Sequence, residues 1–128
     1  MKNLQDIYDN LNINPAKILI LDHIDSEAFI LDGAKMHTKH SALIEIYTQL
    51  GFKKYIEHAN YDGLEELLRP SSDAWPERNR LIIGIKNFMS LYQHGDKEML
   101  KVLFSIFSSV ASEWNNKQPN SFYIGIDA

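Results

Sequence analysis

The sequence contains no cysteine, no long apolar run and no excess of basic residues. Without cysteine the chain has no disulfide, no thiolate zinc ligand and no cysteine nucleophile, a composition that fits a reducing compartment. No segment approaches the roughly 20 apolar residues of a membrane helix. Asp6 and Asp9 interrupt the N-terminal apolar pattern, and the run at 18–21 is too short for the core of a signal peptide. We therefore expect a cytoplasmic protein that contacts no membrane.

The charge and the missing motifs narrow the function classes further. The net charge is −4 and the pI is near 5.7, whereas non-specific nucleic-acid binding needs a basic surface. No phosphate-binding loop, GxGxxG fingerprint or GxSxG nucleophile motif occurs. We expect no direct nucleic-acid contact and no cofactor.

Length and composition favour one domain over residues 1–128, with a core that 45% apolar residues can fill. The apolar spacing predicts helices at 3–11, from a Thr38 cap to Gly51, from an Asn60 cap to Arg69 and from an Asp96 cap to about Trp114. Apolar runs predict strands at 17–21, 28–31, 81–85 and 122–126, with turns or loops at 14–15, 25–26, 32–33, 52–59 and 115–120. This alternation predicts an α/β fold: a small, mainly parallel β-sheet flanked by helices, with an N-terminal helix and an extra strand.

The helix after Asn60 carries a charged face. Asp62, Glu65, Glu66 and Arg69 follow the i, i+3, i+4, i+7 spacing and project away from the leucine positions of the same helix. Like charges at this spacing destabilise an isolated helix by about 0.2–0.5 kcal/mol per pair, although Arg69 can neutralise one glutamate. The pattern permits two interpretations: an acidic surface for a cationic partner, or an ordinary solvated helix face.

Aromatic side chains lie in the loops on both sides of this helix, Tyr55 before it and Trp75 after it. Aromatic residues beside acidic ones are typical of interface hot spots, and partial burial beneath the loops is the alternative for both. Four serines share one face of the long helix, and for these we favour solvent exposure over close packing against another surface: Ser105, Ser108, Ser109 and Ser112.

The remaining polar residues do not predict a metal site or a catalytic set. His37 and His40 have i, i+3 spacing, but no third ligand lies nearby in sequence, so no zinc site is expected. Glu65, Glu66 and His58 are the candidates for acid–base chemistry, but adjacent exposed glutamates lack the unlike environments that a catalytic acid and base require. We therefore expect a protein that is not an enzyme.

The order of these elements resembles the barstar family of ribonuclease inhibitors. The resemblance covers about residues 28–127, and residues 1–27 are an addition before it. It depends most on the segment 60–66 together with the order of the helices and strands. The matching segments are FILDG at 29–33, LGF at 50–52, Tyr55, NYDGLEELL at 60–68, Trp75 before LIIGI at 81–85, EW at 113–114 and FYIGI at 122–126.

The resemblance implies a small parallel sheet flanked by helices and a blocking function. Barstar-like proteins insert the acidic helix and the preceding loop into the active site of a secreted ribonuclease. The family's acidic positions fall on Asp62 and Glu66, its loop tyrosine on Tyr55, and the apolar residue before the first acid on Tyr61. A ribonuclease site is cationic because it holds phosphate, so a carboxylate on a helix can mimic that phosphate. The expected partner-binding residues are Tyr55, Glu57, Tyr61, Asp62, Glu65, Glu66, Arg69 and Trp75.

The chain departs from the family pattern at several of these places. The segment between Tyr55 and Asn60 lacks the family's glycine, and Glu65 and Glu66 stand where the family has tryptophan and aspartate. Serine near 108–109 replaces an acidic residue. We therefore expect a diverged partner, a ribonuclease or other nuclease toxin with a basic active site, which the chain binds from a monomeric free state. The alternative is a barstar-like module that binds a protein other than a nuclease.

Overall fold

The computed structural model describes residues 4–13, 18–75 and 78–127. The α-helices are α1 (Leu4–Leu11), α2 (Lys39–Gln49), α3 (Tyr61–Leu68), α4 (Phe88–His94) and α5 (Lys97–Lys117). The strands are β1 (Leu19–Leu21), β2 (Phe29–Asp32), β3 (Leu81–Lys86) and β4 (Phe122–Ile126), and 3₁₀ helices span Gly33–Lys35 and Lys53–His58. No helix within these ranges is long and apolar enough to cross a membrane.

The strands form one four-stranded parallel sheet in the order β1-β4-β3-β2. This arrangement confirms the predicted α/β fold, and β1 is the predicted extra strand, placed at the edge beside β4. Strand β3 pairs on both sides, and an interior strand of a parallel sheet is covered on both faces. That position explains why β3 is apolar and buried without a break from Leu81 to Ile85.

The two faces of the sheet are covered differently. Ile83 and Ile124 are fully buried in the apolar core that the sheet shares with the helices. On the other face Gly84 pairs with Gly125, and the chain between β1 and β2 crosses directly over them. A Cβ at Gly125 would lie 2.7 Å from the carbonyl oxygen of His23, so only glycine lets this crossing approach the sheet so closely.

Side chains cap the three helices for which the sequence predicts caps. Thr38, Asn60 and Asp96 each accept a hydrogen bond from the backbone N–H three residues later, at 3.1, 2.7 and 2.8 Å respectively. Such an N–H has no partner within its own helix, so each cap stabilises the helix start. After α2, Gly51 has a φ of +87°, the left-handed conformation expected of the residue that closes a helix.

Two short helices were not predicted. The loop expected at 52–59 contains the 3₁₀ helix Lys53–His58, and α4 lies between the predicted strand at 81–85 and the predicted Asp96 cap, where no element was expected. Short helices gain their stability from tertiary packing more than from their own sequence. In α4 that packing involves Phe88 and Leu91, which are 1% and 0% exposed.

Several element boundaries also differ from the predicted ones. Strand β2 begins one residue later than expected and includes Asp32, whose backbone N–H donates to the buried carboxylate of Glu45 at 2.8 Å. Helix α5 continues to Lys117 and shortens the predicted loop at 115–120. The predicted end of the first helix at Asn14-Pro15 lies outside the described residues, as does Lys17.

Candidate partner-binding site

Helix α3 packs against the core through its leucine positions, as predicted. Leu64 and Leu68 are fully buried. The hydroxyl of Tyr47 on α2 donates to the carbonyl oxygen of Asn60 at 3.3 Å, and burial raises the pKa of Tyr47. A Cβ at Gly63 would lie 3.0 Å from the same hydroxyl, so the glycine lets α3 approach α2 closely. The start of the acidic helix is therefore fixed to the core.

Of the four charged residues on the predicted face, two form an ion pair with each other and two do not. The Arg69 guanidinium lies 3.8 Å from a carboxylate oxygen of Glu65 and 3.5 Å from one of Glu113 on α5. The expectation that Arg69 neutralises one glutamate is confirmed, and Arg69 also connects this helix to α5 through Glu113. Asp62 and Glu66 are exposed and form no ion pair within the described part of the chain. The predicted four-residue face therefore narrows to two accessible carboxylates.

A cleft of ≈ 820 Å³ separates α3 from the 3₁₀ helix that precedes it. Tyr55 and His58 line the wall formed by the 3₁₀ helix, and Gly63 and Glu66 line the wall formed by α3. The segment 71–74 contributes to the lining as well. The cleft thus brings together the predicted loop tyrosine and the second predicted acid.

The 3₁₀ helix presents Tyr55 and Glu57 at the surface. Tyr55 is 43% exposed, one of the few large apolar side chains open to solvent, and the Lys54 ammonium lies 5.1 Å from the centre of its ring. Glu57 is exposed but is absent from the cleft lining. Tyr55 is therefore exposed beside the acidic helix and is not buried beneath the loops.

Tyr61 is half-buried at the start of α3. The Lys39 ammonium lies 4.6 Å from the centre of its ring. Burial raises the pKa of Tyr61, and the negative charges of Asp96 and Glu98 raise it further. Tyr61 therefore faces the starts of α2 and α5 as well as the solvent. The sequence carries no signal for this cluster, because residues more than 20 positions apart form it.

Trp75 is buried, with 6% of its surface exposed. Its indole N–H donates to the carbonyl oxygen of Leu67 at 2.8 Å, and its ring lies 5.6 Å from that of Phe52 and 5.7 Å from that of Phe29. Burial beneath the loops, the alternative left open by the sequence, is thus confirmed for this residue.

His37 has an ordinary structural partner, whereas the buried hydroxyl of Ser108 has no hydrogen-bond partner among the described residues. The imidazole of His37 lies 2.9 Å from the hydroxyl of Ser90, and no group of metal-ligating side chains occurs in the part of the chain that the structure describes. On α5 the serine face is only partly exposed, because Ser108 and Ser112 are partly covered and the Ser112 hydroxyl donates to the Ser108 carbonyl oxygen at 3.2 Å. The expected exposure therefore holds for half of that face.

Comparison with known protein families gives a match over most of the chain. A family model described as Barstar (barnase inhibitor) matches residues 26–127, most of the chain, and includes the whole candidate site. No curated protein and no solved structure matches the chain. The matched range agrees closely with the residues 28–127 over which the sequence resembled that family.

Proposed function

The chain belongs to the barstar family of barnase inhibitors, and we propose that it blocks a ribonuclease toxin by placing Asp62, Glu66 and Tyr55 in the toxin's cationic active site. Membership of this family implies ribonuclease inhibition, and its members are inhibitors and not enzymes. The prediction that the chain is not an enzyme is therefore confirmed.

The observation that carries the proposal is the pair of exposed carboxylates on a helix fixed at its start. Asp62 and Glu66 are one turn apart, so one cationic surface can contact both. Neither carboxylate is neutralised by an ion pair within the described residues, whereas Glu65 is paired with Arg69. An unpaired carboxylate retains its full charge for a partner, and because the helix start is already fixed, only the side chain is ordered on binding.

The cleft supports the same surface. Glu66 and Tyr55 face it from opposite walls, so a side chain of the partner that enters between them meets a carboxylate and an aromatic ring together. Glu57, Asp73 and Glu98 are further exposed acids near the cleft or near Tyr61, and the cleft lining also contains the cations Lys54 and Arg69. With a net charge of −4 on the chain, these acids favour a basic partner surface and its rapid association.

Inhibition titrations test the proposal. Increasing amounts of the chain are added to a fixed amount of a barnase-type ribonuclease, and cleavage of a labelled RNA is measured. Occlusion predicts a sharp endpoint near a one-to-one ratio, and the chain alone leaves the RNA intact. Asp22→Ala is the control for the Asp62→Ala and Glu66→Ala variants, because it removes another exposed acid, from the segment after β1. Full ribonuclease activity in an intact complex would contradict occlusion and favour a binding module with another role.

A further inference from the structure

The end of α3 depends on two tryptophans for its hydrogen bonds. The last carbonyl groups of a helix have no partner within it. After Leu68 the chain leaves the helix, since Arg69 has a ψ of 145° and Pro70 has no N–H to donate. The indole N–H of Trp75 donates to Leu67 and that of Trp114 donates to Leu68, both at 2.8 Å.

The two tryptophans differ in what else they touch. Trp114 belongs to α5 and is 2% exposed in the core. Trp75 belongs to the loop between α3 and β3, and its ring packs edge-on against Phe52. Phe52 is the residue that immediately precedes the 3₁₀ helix carrying Tyr55. Trp75 thus contacts both walls of the cleft, one through a hydrogen bond and the other through a ring.

The loop that carries Trp75 is itself tightly turned. The backbone N–H of Trp75 donates to the Ser72 carbonyl oxygen at 3.2 Å, and the N–H of Ala74 donates to the Ser72 hydroxyl at 3.1 Å. The N–H of Ser72 donates in turn to the Arg69 carbonyl oxygen at 3.0 Å. This short chain of bonds connects Trp75 to the end of α3 a second time and leaves the indole little freedom to move.

We propose that Trp75 is a positioning residue for the binding surface: it fixes α3 and the 3₁₀ helix at one separation, so that Glu66 and Tyr55 face a partner across a cleft of constant width. This inference rests on the proposed function and moves Trp75 from the set of expected partner contacts to a supporting role. A surface held in its bound geometry avoids an ordering cost on association, and its loss increases the dissociation rate more than it lowers the association rate.

A distance measurement tests the positioning without any partner. Because the chain has no cysteine, Lys53→Cys and Glu66→Cys place one nitroxide label on the 3₁₀ helix and one on α3, the two elements on either side of the cleft, and none elsewhere. The distribution of distances between the two labels is then recorded by electron paramagnetic resonance, with and without the substitution Trp75→Phe. This substitution keeps an aromatic ring and deletes the indole N–H. Phe52→Leu is a second variant, which keeps the hydrogen bond and deletes the ring contact. Trp114→Phe is the matched control, because it deletes the neighbouring hydrogen bond and does not touch the 3₁₀ helix.

We expect both Trp75→Phe and Phe52→Leu to broaden the distribution, and Trp114→Phe to lower the thermal midpoint while leaving the distribution narrow. An unchanged width in both cleft variants, or equal broadening in Trp114→Phe, would overturn the positioning role.

Binding to a barnase-type ribonuclease tests the functional consequence in label-free protein. We expect Trp75→Phe to raise the dissociation constant about tenfold, mainly through faster dissociation. Trp75→Phe could broaden the distance distribution and leave the affinity unchanged, while Glu66→Ala weakens binding. In that case Trp75 has no positioning role in binding, and the proposed surface stands. If neither Glu66→Ala nor Trp75→Phe alters affinity, the proposed surface is wrong, and the distance measurement alone decides whether Trp75 fixes the cleft.

Discussion

Removal of the Glu66 carboxylate is the most direct perturbation of the proposed surface. Two opposite charges about 4 Å apart attract by about 4 kcal/mol at the effective dielectric constant of about 20 found near a protein surface. Desolvation of the exposed carboxylate offsets part of this attraction. We therefore expect Glu66→Ala, and likewise Asp62→Ala, to weaken binding by about 2 kcal/mol, or roughly thirtyfold in the dissociation constant.

The same structure predicts that Glu65→Ala has a much smaller effect. The Glu65 carboxylate is 30% exposed and lies 3.8 Å from the Arg69 guanidinium, so a partner meets a compensated charge. Its removal is expected to weaken binding by less than about 0.5 kcal/mol, the scale of an exposed ion pair. Glu65 and Glu66 are adjacent in sequence and equal in charge. Comparing the binding losses of the two alanine variants therefore shows the effect of a carboxylate's being exposed and unpaired.

Calorimetric titration of each variant with the ribonuclease measures these losses, and Glu66→Gln separates the charge from the size of the side chain. Urea unfolding of the free variants is the control, because exposed residues without partners should change the free energy of unfolding by less than about 0.5 kcal/mol. Losses below about 0.5 kcal/mol at both Asp62 and Glu66, or a larger loss at Glu65 than at Glu66, would refute the assignment of the surface.

Three other properties follow from the structure. Association with the ribonuclease should slow as ionic strength rises, and stopped-flow rates that do not change with salt would indicate an apolar interface instead. The Asn87 side chain donates to Asp32 at 2.9 Å and, as the largest of several causes, lowers the pKa of that carboxyl. A lowered pKa of Asp32 stabilises the folded state at pH values above the ordinary aspartate pKa, and this stabilisation is lost as the pH falls through the pKa of the folded state. In urea unfolding, Asn87→Gly should therefore lower the free energy of unfolding more at pH 6 than at about pH 2. Gly125→Ala should destabilise the fold by about 2 kcal/mol in the same assay, since its Cβ would lie 2.7 Å from the backbone carbonyl oxygen of His23. Gly84→Ala should destabilise it by a similar amount, since its Cβ would lie 2.7 Å from the branch methyl of Ile24, which has little freedom to rotate away.

Local features of the sequence were sufficient for most of the fold. The cap residues Thr38, Asn60 and Asp96 act through bonds to their own helices, so their role is readable within four positions. The run at 81–85 is apolar on both faces because it is an interior parallel strand, and this apolar run predicted a strand there. Two elements were not predicted from the sequence, α4 and the 3₁₀ helix at 53–58. Both are short and depend on contacts with distant segments.

For the binding site, the sequence by itself determined that α3 turns its leucines inward and its acids outward, because a period of 3.6 residues leaves no other arrangement beside an apolar core. Only the tertiary structure decided which acids remain available. Glu113 lies 44 positions from Arg69 and Trp75 lies 23 positions from Phe52, yet the first pairing gives Arg69 a second carboxylate partner and the second packs Trp75 in a buried position. Contacts at such separations depend on how the helices pack around the sheet, and no local pattern encodes them.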